Sequence, residues 1–208
     1  METSAWAEVS AAVAASPYPV RVLPADPVPA ETCLARLEIT TRSWLGAVVA
    51  YSGGLLVDHG WLRVLGCGST GLPDVLAGAD PASGELVVGH DVLGGQFVWA
   101  RARPGTPPTV HYFAPDDLDW QDLEQGYADW LHAMLAGSLT RFYDTLRWPG
   151  WEAEVAALSP DQGLSTLPPP WTAEGKDLAT VSRKAVPLPQ LISFNHEMAR
   201  QLGPAGQP

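Results

Sequence analysis

Positive charge is scarce in this sequence of 208 residues, which has 12 Lys and Arg, only two of them Lys, against 23 Asp and Glu. The formal net charge is −11 at pH 7. Proteins that bind DNA or RNA neutralise phosphates with clustered Lys and Arg. The charge balance therefore argues against a nucleic-acid partner.

Cysteines and long apolar segments are also scarce. Two cysteines, Cys33 and Cys67, provide neither a disulfide framework nor a zinc site. The longest uncharged stretch near the middle, Ser43 to Val57, is shorter than the roughly 20 residues that cross a bilayer. No Lys or Arg precedes Arg21, whereas a signal peptide starts with basic residues. We therefore expect a soluble cytoplasmic protein that has no membrane partner.

The order of sequence patterns predicts an α+β fold in one domain, since the length fits roughly 150 residues per domain. Apolar residues recur at helical spacing from Thr3 to Ala15 and after Ser43. Short apolar runs from Leu55 to Phe113 predict strands joined as an antiparallel meander. Helical spacing returns after Pro115, and Gln162 to Lys176 is typical of a Pro-rich loop. We expect a central antiparallel sheet flanked by helices, with helical N- and C-terminal segments.

A glycine-rich motif follows one of the predicted strands. Gly66, Gly68 and Gly71 have the spacing G-x-G-x-x-G, and Asp91 lies where the ribose-binding acid of a dinucleotide site would be. Such a site also needs a helix that opens at the third glycine. Gly78 leaves room for less than two turns of helix. We therefore favour a simple turn, keep a nucleotide site as an alternative and predict no cofactor.

Three histidines, His59, His90 and His111, fall at the ends of predicted strands. Converging strand ends could let two of them and a carboxylate hold Zn²⁺ or Fe²⁺. No local ligand spacing supports this, so a metal site is an alternative, and histidines bonded to backbone are favoured. Cys67 lacks the neighbouring base or cation that would make it a nucleophile.

The most unusual feature of the sequence is a run of acids. No Lys or Arg lies between Arg103 and Arg141, and this interval carries a charge of −6 from Asp116, Asp117, Asp119, Asp122, Glu124 and Asp129. The spacing is not that of an EF-hand loop, whose sixth and twelfth residues are Gly and Glu. Trp120 and Tyr127 lie among the acids, and aromatic residues beside carboxylates suit recognition of a basic protein. The same residues are also typical of a solvated acidic face that has no partner, and both interpretations stay open.

Six segments of the chain resemble a known family. They are Ser52–Gly66 (SGGLLVDHGWLRVLG), His90–Phe97 (HDVLGGQF), Tyr112–Asp116, Gly126–Leu131, Phe142–Trp148 and Arg183–Pro187. Together they resemble the bacterial family catalogued as domain of unknown function 2625. The single predicted domain, residues 1–208, then divides into an N-terminal helical segment (1–39), a family-like core (40–187) and a C-terminal helix with a frayed tail (188–208). The family name implies no activity and therefore no catalytic residue.

A more general pattern is similar to the SUKH superfamily. It combines a Gly-Gly pair after an early helix, an Asp-x-x-Gly-Gly turn between two strands, an acidic connection and a helix of the Tyr-x-x-Trp-Leu kind. This similarity implies an α+β domain that binds other proteins. Many members of the superfamily are bacterial immunity proteins that neutralise toxins, often nucleases.

The acidic balance and the second resemblance indicate the same function. We predict a non-enzymatic protein-binding module, in one form an immunity protein, that captures a basic partner such as a toxin. The predicted contacts are Asp116, Asp117, Asp119, Trp120, Asp122, Glu124 and Tyr127. The alternative is a metal-dependent or nucleotide-using enzyme built on the three histidines or the glycine-rich motif. The sequence leaves the oligomeric state open.

Overall fold

The computed structural model describes residues 4–79, 84–103 and 105–203, and most of its strands belong to one large sheet. Its seven strands are β1 (Val20–Leu23), β2 (Gly54–Val57), β3 (Leu62–Leu65), β4 (Leu86–Asp91), β5 (Gln96–Ala100), β6 (Thr109–Ala114) and β7 (Asp119–Asp122). The strands pair in chain order and each is antiparallel to the next, so β1 and β7 are the edges. The predicted antiparallel meander is therefore confirmed.

Helices precede and follow the strands β2 to β7, which confirms the α+β fold. They are α1 (Trp6–Ala15), α2 (Pro27–Leu37), α3 (Trp44–Tyr51), α4 (Tyr127–Ala133), α5 (Leu139–Phe142), α6 (Trp151–Ala156) and α7 (Leu188–Leu202). Ser43 caps α3 as expected, because its hydroxyl oxygen accepts the Gly46 N–H at 3.0 Å. Over the described residues, no helix has both the length and the apolar character needed to span a membrane.

A second, two-stranded sheet follows the helices and corrects one prediction. Its strands are β8 (Gln162–Leu167) and β9 (Ser182–Pro187), so the Pro-rich loop expected from Gln162 begins only after β8. Leu164 is buried, and its N–H donates to the carbonyl of Val92 at 2.8 Å, which holds β8 against the end of β4. The predicted frayed tail begins at Gly203, and its remaining residues, 204–208, lie outside the described residues.

Alternate residues of the large sheet point to two different faces. Phe97 and Tyr112 lie on the helix-covered face, where their rings pack against Trp130 of α4 at 5.0 Å and Phe142 of α5 at 4.9 Å. The opposite side, here called the second face, is covered in part by α7. The two faces therefore differ in how much of their surface remains open.

A fully buried carboxylate, that of Asp91, joins the helix-covered face to the turn between β4 and β5. One oxygen, Oδ1, accepts the N–H groups of Leu93 at 2.9 Å and Gly95 at 2.8 Å. The other, Oδ2, accepts the hydroxyls of Tyr112 at 2.7 Å and Tyr143 at 3.3 Å. Burial raises the pKa of Asp91 in spite of these four bonds. Gly95 is needed here, since a Cβ at this position would lie 2.1 Å from Oδ2.

We expect Asp91→Ala to lower the free energy of unfolding by at least about 3 kcal/mol, because four buried donors lose their acceptor together. Urea denaturation measures the change. The control is Asp144→Ala, at an exposed position, which should change stability by less than about 0.5 kcal/mol. Equal effects of the two substitutions would contradict the role assigned to Asp91.

Candidate functional site

The acidic segment forms β7 at one edge of the large sheet, a strand that the sequence analysis missed. All four of its residues are exposed. Trp120 lies opposite Phe113 of β6, and Asp122 lies opposite His111. The sequence does not predict this strand, because aspartates have low strand propensity and no alternating apolar residues mark a buried face of the segment. The segment is therefore a sheet edge, whereas the sequence predicts a connection that leads into a helix.

Main-chain hydrogen bonds show how this edge is protected. The N–H of Leu123 donates to the carbonyl of Val110 at 2.9 Å, whereas the N–H of Trp120 donates to Oδ1 of Asp119 at 2.8 Å. The carboxylate of Asp119 therefore covers an amide that does not pair with β6. Covering an edge amide in this way disfavours the addition of another strand. A partner would accordingly contact this edge through side chains.

The acidic side chains of the segment differ in their solvent exposure. Asp122 is exposed, and its Oδ1 accepts the Glu124 N–H at 2.8 Å, which lowers the pKa of Asp122. Asp116 is half-buried, and this burial raises its pKa. Asp117 is exposed and lies 3.8 Å from the ammonium of Lys176, a weak surface pair. The exposed carboxylates of the acidic run are those of Asp117, Asp119, Asp122, Glu124 and Asp129.

Trp120 is the large aromatic residue of this edge, with 44% of its surface exposed. Its ring lies 5.3 Å from the ring of Phe113 and 6.0 Å from that of His196 on α7. These contacts on the second face hold the indole in place. Beside it lies a hollow of about 260 Å³, lined by Glu85, Val98, Ala100, Arg101, His111 and Trp120.

The hollow has an apolar floor, because Val98 and Ala100 of β5 are each only 8% exposed. His111 lies opposite Val98 in the register of β5 and β6, so it borders the same hollow. A half-exposed indole next to an apolar depression can hold an apolar or long aliphatic side chain from another molecule.

The inclusion of Tyr127 among the contact residues is corrected by the structure. Tyr127 is the first residue of α4, and only 5% of its surface is exposed. Its ring packs against Trp130 at 5.6 Å, and burial raises the pKa of its hydroxyl. The helical spacing of these two aromatics is a signal of core packing, and this signal outweighs the neighbouring acids.

The three histidines do not converge, which removes the basis of the metal alternative. His59 lies in the turn after β2, whereas His90 is in β4 and His111 is in β6, two strands away. His111 shares a hydrogen bond of 3.3 Å with the hydroxyl of Thr109. In the part of the chain that the structure describes, no three His, Cys, Asp or Glu side chains are grouped as metal ligands would be.

The glycine-rich motif lacks the geometry of a dinucleotide site. The strand before it, β3, is antiparallel to β4, and the described residues after Gly71 form turns with no helix opening there. Gly66 serves close packing, because a Cβ at this position would lie 2.3 Å from the carbonyl oxygen of Ser52. Gly68 and Gly71 have φ values of +90° and +79°, which suit a tight turn. The expected ribose acid, Asp91, is buried.

His90 makes stability depend on pH. Its ring is buried, its Nδ1 has no hydrogen-bond partner among the described residues, and Arg63 lies opposite it on β3. Burial, and secondarily the charge of Arg63, lower the pKa of His90 from 6.5 to about 4. In the unfolded chain His90 has its ordinary pKa of 6.5. Between pH 6.5 and about 4, the unfolded chain therefore binds a proton at His90 that the folded chain does not bind. The stability due to neutral His90 is present above pH 6.5 and is lost as the pH falls toward 4.

We expect this group to lower the free energy of unfolding by up to about 1.4 kcal/mol per pH unit within that range. Denaturant titrations at several pH values measure the slope. The slope should become smaller in His90→Gln and stay unchanged in His132→Gln, whose position is exposed. An unchanged slope in His90→Gln would refute the assignment.

Comparison with known proteins gives a family and two relatives. The family model described as protein of unknown function DUF2625 matches residues 1–191 and so includes the N-terminal helices. The putative uncharacterized protein YbfG of Escherichia coli (strain K12) is 34% identical over 208 residues, covering 95% of this chain and 93% of that protein. An uncharacterized protein of Haemophilus influenzae is 33% identical over 171 residues, covering 77% and 75%. No solved structure gives a significant match.

Proposed function

The chain belongs to the DUF2625 family, whose description names no activity, and we propose from the geometry of β7 that it is a non-enzymatic protein-binding module for a basic partner. The observation that carries this proposal is that all four residues of β7 are exposed and that Trp120, 44% exposed, lies among open aspartates. A surface that combines an aromatic anchor with charge of one sign has the composition of a protein-recognition site.

The charge of the edge supports a basic partner. The open carboxylates of Asp117, Asp119, Asp122 and Glu124 lie within eight positions of one another, from 117 to 124, with no basic residue between them. Their field attracts positive charge and accelerates association, and salt screens it over about 8–10 Å. Two copies of this edge would repel each other. The proposed partner is therefore a different protein, and a basic one.

Trp120 and the hollow beside it support a contact of defined position. Indoles are enriched among the residues that carry most of the binding energy in interfaces. The hollow of about 260 Å³ has Val98 and Ala100 at its floor and can take one side chain of the partner. Charge would guide the approach, and Trp120 would set the lifetime of the complex.

Binding of this kind acts by occlusion and needs no chemistry at the edge. In the immunity form implied by the SUKH resemblance, which remains a prediction, the partner is a basic toxin whose active surface becomes covered. The acidic edge suits this role, because a basic enzyme that binds nucleic acid would also attract an acidic protein, and this protein would compete with the nucleic acid for the same surface.

We test the proposal by affinity capture from lysate of the native host with the full chain. A basic protein should be retained near one-to-one at low salt and released at high salt. Retention should be lost in Trp120→Ala and in the double variant Asp119→Lys with Asp122→Lys. The matched control, Glu31→Lys with Asp144→Lys, makes the same charge change at exposed positions elsewhere and should retain the partner.

With the partner purified, the two variants should differ in kinetics. Charge reversal should lower the association rate by roughly tenfold or more at low salt. Trp120→Ala should mainly raise the dissociation rate and cost about 2 kcal/mol of binding free energy. Binding that is unaffected by salt and by both variants would refute the proposal. Loss of binding in the control variant as well would also refute it.

A further inference from the structure

A second concave region lies at the opposite end of the large sheet, between the β1–β3 strands and helix α6. It is a cavity of about 330 Å³, which we name the arginine cavity, lined by Pro19, Val20, Arg21, Leu56, His59, Gly60, Arg63, Val155, Ala156, Leu158 and Pro160. This volume is in the range of small-molecule sites. None of the lining residues carries a carboxylate, although the whole chain has a net charge of −11.

Strand register places two arginines on the same side of this cavity. Leu56 of β2 pairs with Arg21 of β1 on one side and with Arg63 of β3 on the other, so all three point to the second face. Neighbouring strands are about 4.8 Å apart, which puts the two arginine Cα atoms about 10 Å from each other. Leu56 lies between them in the sheet, and all three residues line the same cavity.

Arg63 is the unusual member of the pair, because it is only 2% exposed and has no carboxylate within ion-pair distance among the described residues. Its Nε donates to the carbonyl of Gly60 at 3.2 Å, and its Nη1 donates to the carbonyl of Gln162. Within the described residues, Nη2 has no protein acceptor. Burial lowers the pKa of Arg63 to about 10, although the negative charges of Asp91 and Asp161 act to raise it. Arg63 therefore stays charged at neutral pH.

The turn after β2 adds a third basic group and holds its own acid, Asp58, in an ion pair. Asp58 and His59 have φ values of +55° and +61°, the left-handed conformation that side chains other than glycine rarely adopt. This backbone places exposed His59 at the cavity, with its ring edge-on to Trp151 at 5.8 Å. The buried carboxylate of Asp58 lies 2.5 Å from the guanidinium of Arg147 and is thereby neutralised.

We propose that the arginine cavity binds the phosphoryl group of a small phosphorylated molecule. A buried guanidinium that has no carboxylate at ion-pair distance favours an anion beside it. Guanidinium groups match the tetrahedral oxygens of phosphate through charge-assisted hydrogen bonds. Arg21, Arg63 and His59 together suit a doubly charged group better than a single carboxylate. This site lies at the β1 end of the sheet and is independent of the acidic edge at β7.

The test is thermal unfolding of the full chain in sodium phosphate, in sodium acetate and in sodium chloride, at equal pH and ionic strength. Phosphate should raise Tm by a few degrees over chloride, because a ligand that binds only the folded state stabilises it. Acetate should have a smaller effect. Arg21→Gln should abolish the phosphate-dependent rise, since Arg21 is exposed and its replacement leaves the core intact. The control Arg141→Gln, at an exposed position on α5, should keep it.

A second measurement, by NMR, locates the bound phosphate in the protein. Addition of phosphate should move the ring proton resonances of His59 in NMR spectra of the wild type, and those of His132 on α4 should not move. Arg63→Gln should weaken phosphate binding by roughly tenfold or more. If that variant does not fold, Arg21→Gln alone decides the question. An absent Tm rise, an equal rise in Arg21→Gln or with acetate, or an unmoved His59 would overturn the proposal.

Discussion

The carboxylate of Asp91 is the constraint on which the rest of the fold depends. Its four hydrogen bonds close the turn between β4 and β5 and connect Tyr112 of the sheet to Tyr143, just after α5. Both tyrosines and both turn residues that donate to it are buried. The turn, the centre of the sheet and the helical layer are thereby held in one arrangement, and the position of β5 fixes where β6 and β7 follow.

The two faces of the large sheet differ in how they are covered. The helix-covered face is filled by aromatic packing such as that of Phe97 on Trp130. The second face is covered by α7 only in part, where His196 stacks on Phe113 at 4.2 Å. Its two ends stay open and have opposite charge: acids and Trp120 at β7, and Arg21 with Arg63 at β1 to β3. A chain with few basic residues thus places two of them around one cavity.

Much of the fold could be predicted from the sequence, because β1 and the strands from β2 to β6 have apolar runs bounded by turn residues, and α4 has helical aromatic spacing. The strands β7, β8 and β9 could not, since the residues of β7 and β9 are mostly exposed and those of β8 include Gly163. Charge identified the acidic segment, but its place at a sheet edge depends on pairing with β6. The role of Asp91 was also beyond the sequence, because its partner Tyr143 is 52 residues away.

We propose above that the edge around Trp120 contacts another protein. The most direct measurement is site-specific photo-crosslinking in the native host, with a photoreactive phenylalanine analogue replacing Trp120 in one variant and Arg141 in another. We expect an adduct with one basic protein from position 120 and none from position 141. No adduct at position 120, or the same adducts from both positions, would contradict it.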